Sequence, residues 1–476
     1  MTVNSRIMVP VLRLFSVAVV AALIVLATDA RMCDLRAQGF TPNYDESKIP
    51  AFTLPDLLVN EKGEKVTSAE QWEKAREHWL ALCRDHIYGS WNCPNYKIDT
   101  EIVEQGEFLG GKAMRVQWRV TISNEHGSQP IDLLVYLPAN ASKVSKVPLF
   151  LGLNFTGNHS ATDDPAVRLP KSWLRNDPNG AVVNNRATEA GRGIQSKRWP
   201  IAEIIEQGFG VATAYYGDVA PDDPGHYMEG LPKLNPALVK DLGPLPLDAP
   251  YKETKQPTTG GAIAVWSWGL SRLLDVLEKD PRIAGDQVIV VGHSRLGKTA
   301  LWAGAIDKRF AMVVSNNSGC GGAALSRRAF GETVQRINSA FPHWFCDKYR
   351  LYNKAEDSCP VDQHTLLALI APRPLYVTSA SEDLWADPKG EFLSAKEAGV
   401  VYRLLGATPM PDVDFPGFEN LGDGKVVYGA AIGDAQQDNV PTFATVAYHI
   451  RKGPHDILSW DWQRLMQFAK QHLSKQ

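Results

Sequence analysis

Residues 288–302 read Val-Ile-Val-Val-Gly-His-Ser-Arg-Leu-Gly-Lys-Thr-Ala-Leu-Trp, an apolar strand that runs directly into a glycine-bounded serine and then into a helix. A chain that turns from strand to helix this abruptly must let the two elements approach closely, so small residues flank the corner. The corner residue lies at a helix N-terminus, where N–H groups without intrahelical partners and the helix dipole favour negative charge. Gly292-His293-Ser294-Arg295-Leu296-Gly297 differs from the usual G-x-S-x-G nucleophile elbow only in placing the second glycine one residue late. Alone, the same letters would also fit a plain strand–helix turn with an N-capping serine.

The surroundings favour the elbow. From about residue 147, short apolar runs at Val147–Leu153, Gly210–Tyr215, Val288–Val291, Ala311–Ser315, Leu375–Ser379 and Thr442–Tyr448 alternate with helical stretches. Gly261–Leu277 carries Ile263, Trp266, Leu270, Leu273, Leu274 and Leu277 at helical spacing, and a last helix starts at Ser459. Strands apolar on both faces and separated by helices indicate a mostly parallel central sheet covered on both faces. The expected class is α/β, with the α/β-hydrolase fold as its architecture. Upstream, Gln71–His86 reads as a helix, and Ala113–Ile122 and Ile131–Leu137 as antiparallel strands joined through residues 124–127. Residues 41–75 read as a polar wrapping segment. Residues 155–200 and 220–260, rich in Gly, Pro, Asp and Asn, read as long loop insertions that shape a cleft.

Net charge is -3 over 476 residues, which leaves no basic surplus for phosphate backbones and excludes nucleic acid as the expected partner. A neutral or weakly acidic polymer could approach without a large penalty. Arg6 and Arg13 precede the uncharged run Leu14–Ala27, which has export-signal length and is short for a membrane span. The expected organisation is a signal peptide or N-terminal anchor over 1–37 and one catalytic domain over 38–476. The protein is therefore expected to be exported, secreted or periplasmic, with no membrane attachment unless the leader is retained. Cys33, Cys83, Cys93, Cys320, Cys346 and Cys359 offer no zinc-ligand spacing, and disulfides or buried thiols fit them equally.

A serine nucleophile needs a base and an acid, and in this fold they follow it in the order acid, then histidine. His455 lies in Arg451-Lys452-Gly453-Pro454-His455-Asp456, a loop between the last strand and the last helix that can swing an imidazole over the serine. His364 reads as a surface residue. The loop after Leu375–Ser379 holds Glu382, Asp383 and Asp387. Glu382 and Asp383 point to opposite sides of an extended chain, Asp387 is further from the strand end, and Asp456 is too close in sequence to face His455. The acid is therefore expected at Glu382 or Asp383, one of which faces the site.

Several stretches resemble the bacterial branch of the glucuronoyl esterase family, carbohydrate esterase family 15. They are Gly292–Lys298, Asn316–Gly322, Gly331–Val334, Phe341–Phe345, Ser381–Pro388 and Gly453–His455, with further likeness at Asn154–Asn158 and Tyr215–Asp218. The resemblance spans roughly 41–476. It implies hydrolysis of (4-O-methyl-)glucuronic acid esters, such as xylan–lignin links, with no cofactor. It further implies Ser294 as nucleophile, His455 as base, Arg295 in the oxyanion hole, and Lys298, Glu332 and Trp385 as uronate-binding residues; it also favours Asp383. Without it, Lys298 and Glu332 would read as surface ions and Trp385 as core packing. Many family members carry the acid after the strand that follows the elbow helix, where this chain has Asn316, Asn317 and Ser318.

Triad chemistry does not separate acyl groups, so an acetylxylan esterase or other carbohydrate deacetylase on the same fold is the alternative enzyme. A degenerate hydrolase fold that only binds carbohydrate is the non-enzyme alternative. Lys298, Glu332 and Trp385 discriminate, since an acetyl group needs no uronate pocket.

Overall fold

The computed structural model describes residues 40–238, 259–418, 425–431 and 442–473. The proposed leader over 1–37, with Cys33, lies outside them, as do residues 239–258 of the second insertion. Among the described residues, ten strands form one sheet: β1 (Lys97–Phe108), β2 (Ala113–Asn124), β3 (Gly127–Pro138), β4 (Val147–Asn154), β7 (Gly210–Tyr215), β8 (Ile283–His293), β9 (Met312–Asn316), β10 (Leu375–Ala380), β11 (Lys425–Ala431) and β12 (Thr442–Arg451). A two-residue hairpin, β5 (Val182–Val183) and β6 (Arg186–Ala187), stands apart in the first insertion. The sheet order is β1-β2-β3-β7-β4-β8-β9-β10-β12-β11. Every pairing from β7 to β12 is parallel, while the β1–β2, β2–β3, β3–β7 and β12–β11 pairings are antiparallel. This is the mostly parallel sheet that the apolar runs predict.

Alternate residues of the parallel strands feed two cores. Leu149, Leu151, Val288, Val290, Val313, Leu375 and Val377 point to one face, under α1 (Ala69–Cys83), α3 (Ala262–Leu277), α4 (Arg295–Ile306) and α5 (Pro388–Leu404). Phe150, Ile289, Val291, Met312, Val314 and Tyr376 point to the other, under α2 (Ile201–Glu206) and α6 (Ser459–Leu473). Period-2 side-chain alternation with both faces covered is why these strands read as unbroken apolar runs.

The sequence reading misses β1, whose residues Asp99, Glu101, Glu104 and Glu107 break any apolar pattern. An edge strand needs no second buried face, and charge there discourages pairing with other chains. His364 is not a surface residue: it is 2% exposed, with Nε2 3.0 Å from the Pro55 carbonyl. The segment over 41–75 passes over it, a long-range contact that short-range pattern does not reveal. The five cysteines among the described residues are buried free thiols. Among the described residues no helix is long and apolar enough to cross a membrane.

Candidate active site

The elbow sits at the centre of the parallel block, where β8 ends at His293 and α4 begins at Arg295. Ser294 has φ 58° and ψ -129°, a strained conformation for a residue with a side chain, and its hydroxyl caps no helix N–H. An ordinary N-cap adopts the extended region and bonds the first turn, so the plain-turn interpretation does not describe this corner. A Cβ on Gly292 would lie 1.9 Å from the Leu296 carbonyl, so only glycine fits. Gly297 faces the β9 end, where a Cβ would meet Ser318 Cβ at 3.0 Å and the Asn316 carbonyl at 3.2 Å. The displaced second glycine therefore serves close approach to β9, and the Ser294 N–H donates to the Asn316 carbonyl at 2.9 Å.

Sheet register brings the loops after β10 and β12 together. Ala380 is paired with Arg451, the Ser381 N–H donates to the Arg451 carbonyl, and the Glu382 N–H donates to the Gly453 carbonyl. Residues a few positions beyond each strand end consequently meet: His455 Nδ1 lies 2.5 Å from Asp383 Oδ2. Asn317 Nδ2 donates to the same oxygen at 2.8 Å. Burial works to raise the Asp383 pKa, but the hydrogen bond and charge of His455, with the Asn317 bond, hold it below the usual carboxylate value. The His455 ring also lies 4.5 Å, centroid to centroid, from His293, the residue before the serine. Burial first, then the neighbouring His455, keeps His293 well below the usual imidazole pKa, so it is a neutral wall.

The other carboxylates of the cluster go elsewhere. Glu382 is exposed, Asp387 pairs with Arg328 at 2.8 Å, and Asp456 accepts from Arg198 Nε at 2.6 Å.

Beyond the elbow, Lys298 Nζ donates to the Ser318 and Cys320 carbonyls, both at 2.6 Å, and stands 3.5 Å from Glu332 Oε2. Their side chains are 5% and 7% exposed, so they are a buried pair and not surface ions. The Glu332 N–H donates to the Trp385 carbonyl at 3.0 Å, which ties the third residue to the other two. Trp385 is half-buried, edge-on to Phe40 at 6.0 Å, with the Arg336 guanidinium 5.7 Å from its ring centroid. Arg295 is ion-paired to Asp222 and surrounded by the Phe155, Phe341 and Trp344 rings at 5.8, 5.5 and 4.9 Å.

Sequence reasoning passes over Asp222 and Glu391. Asp222 lies in an Asp/Pro loop with no local signature, and Glu391 is one carboxylate in an amphipathic helix. Glu391 is fully buried and accepts from the Ser318 N–H (2.7 Å), the Gly319 N–H (3.0 Å) and the Ser379 hydroxyl (2.5 Å), fixing the loop that carries Asn317. Burial, which the nearby Asp383 charge reinforces, pushes its pKa up to about 8. A carboxyl with a folded pKa above its unfolded value of about 4.3 stabilises fully below that value, and loses the contribution as pH rises through about 8. Thermal melts of Glu391→Gln from pH 5 to 8 should therefore decline less steeply than those of wild type. Equal slopes would show that Glu391 does not titrate in this window.

The family model described as fungal glucuronyl esterase matches residues 251–406. Carbohydrate esterase MZ0003, from an unknown prokaryotic organism, is 42% identical over 446 residues, covering 93% of this chain and 94% of that one. The glucuronoyl esterase of Solibacter usitatus is 38% identical, covers 90% of this chain and 100% of that chain, and superposes with a TM-score of 0.74. A 4-O-methyl-glucuronoyl methylesterase of Phanerochaete chrysosporium is 33% identical over 173 residues, which is 34% of this chain and 36% of that one. The sheet and these relatives define a carboxylic ester hydrolase of the α/β-hydrolase fold. Within that class, the chain belongs to the bacterial branch of the glucuronoyl esterases, carbohydrate esterase family 15.

Proposed function

We propose that the protein hydrolyses esters of (4-O-methyl-)glucuronic acid through a Ser294–His455–Asp383 triad and an acyl-enzyme. Ser294 Oγ attacks the ester carbonyl carbon as His455 Nε2 removes its proton. Asp383 holds the imidazole in the required tautomer through Nδ1 and stabilises the imidazolium. The tetrahedral oxyanion is met by Arg295 and the first turn of α4, in a corner where charge stabilisation exceeds that in water. Collapse expels the alcohol, protonated by His455. Water, deprotonated by His455, then attacks the acyl carbon and releases the uronate and Ser294. No step calls for a cofactor.

The observation that carries the substrate class is the buried Lys298–Glu332 pair, joined through backbone to Trp385 and four residues along α4 from Ser294. Lys298 and Glu332 suit sugar hydroxyls as donor and acceptor, and Trp385 gives a pyranose ring a flat apolar face. The activities for which the Solibacter and Phanerochaete relatives are named support the same reading. Glucuronoxylan or a lignin–carbohydrate ester is the corresponding natural partner, reached by export with residues 1–37 as leader and 38–476 as the catalytic domain.

The test compares benzyl glucuronate with acetylated xylan. Turnover of the glucuronate ester should dominate; equal or better turnover of acetylated xylan would assign the protein to the carbohydrate deacetylases. Glu332→Ala should lower kcat/KM for the glucuronate ester by about tenfold or more, the scale of one lost hydrogen bond to a charged group, and spare a small acyl ester. Equal losses on both would remove Glu332 from sugar binding.

A further inference from the structure

Ester hydrolysis turns a neutral acyl group into a carboxylate. A pocket that placed two uncompensated cations beside the acyl carbon would hold the product anion far more tightly than the substrate. Arg295 and Lys298 lie one and four residues past Ser294, so this site faces that problem.

We infer that Asp222 is a positioning residue that fixes the Arg295 guanidinium and cancels its charge, so that the site selects the neutral ester over the anionic acid it produces. The inference rests on the proposed role of Arg295 at the oxyanion. Asp222 is 3% exposed on its side chain, and its Oδ2 accepts from Arg295 Nη1. Its Oδ1 accepts from His343 Nε2 and from Trp344 Nε1, each at 2.7 Å. The Tyr216 hydroxyl stands 3.4 Å from Oδ2. These donors come from four residues on three separate segments, so the carboxylate has one available position, and the Arg295 guanidinium is held 4.9, 5.5 and 5.8 Å from the Trp344, Phe341 and Phe155 ring centroids. Lys298 has its own carboxylate in Glu332. Arg295 and Lys298 therefore each meet a buried anion. Such a pair still presents an oriented N–H to one developing oxyanion in the transition state, but offers no net charge to a free carboxylate.

Asp222→Asn keeps an acceptor for His343 and Trp344 and removes the charge. Arg295→Gln does the reverse and leaves Asp222 uncompensated. Both are made on the Ser294→Ala background, and calorimetry gives the dissociation constants of free glucuronate and of its methyl ester without turnover. Asp222→Asn should tighten glucuronate relative to the ester by about tenfold, a screened fraction of one ion-pair interaction at this range. Arg295→Gln should weaken the acid relative to the ester by a similar factor. A purely structural role would weaken both ligands together and leave their ratio alone. An unchanged acid-to-ester ratio in a folded Asp222→Asn, or in Arg295→Gln if the first variant does not fold, overturns the inference. Failure of the Ser294→Ala parent to bind either ligand overturns the glucuronate reading itself, and the inference falls with it.

Discussion

Ser294→Ala should reduce ester hydrolysis below about a hundredth of the wild-type rate, because loss of a triad nucleophile costs several orders of magnitude. The fold should survive. The corner is set by backbone contacts that alanine retains: the Ser294 N–H to the Asn316 carbonyl, and the Ser294 carbonyl to the N–H groups of Gly297 and Lys298. The backbone strain at φ 58° is the same for serine and alanine, so only the hydroxyl is lost. Initial rates on benzyl glucuronate, with circular dichroism melts of the same preparations, measure both quantities. Activity well above that bound in a folded variant would sink covalent catalysis by Ser294.

The second large effect is expected at Asp383. Asp383→Asn should lower kcat by about three to four orders of magnitude, as loss of the triad acid does in related chemistry. An amide can still bond to the imidazole, but it no longer offsets the charge His455 gains, and its N–H can select the wrong tautomer. The neighbours give an internal control. Glu382 is exposed and Asp456 is engaged by Arg198, so Glu382→Gln and Asp456→Asn should stay within a few-fold of wild type. The assignment fails if Asp383→Asn remains near wild type while either neighbour is inactive. Asn317 shares the Asp383 oxygen with His455, which gives the β9-end position an orienting task even though it carries no charge here.

Much of this arrangement is readable from local pattern. The apolar run at Val288–Val291 predicts a buried strand, and the following glycine, serine and apolar helix predict the corner; β8 and α4 occupy those places, with β8 extended to Ile283–His293. The alternation at Ala113–Ile122 and Ile131–Leu137 predicts a hairpin, and β2 pairs with β3 from Ala113–Pro138 down to Asn124–Gly127. These elements announce themselves because their side chains repeat with the period of the backbone that carries them. β1 does not, because an edge strand tolerates charge on its open side.

The sequence by itself determines the strand–helix alternation, the glycines a serine corner demands, and the chain order of serine, acid and histidine. These depend on covalent geometry and near neighbours. The tertiary structure alone decides which carboxylate reaches which base. Asp383 meets His455 because Ala380 and Arg451 are in register across β10 and β12, a pairing no local pattern specifies. Asp222 meets Arg295 across 73 residues, and Glu391 reaches back to Ser318 across 73. Such contacts join segments whose sequences are mutually independent. A buried carboxylate looks the same in the sequence as a solvated one until the fold removes its water and supplies its donors.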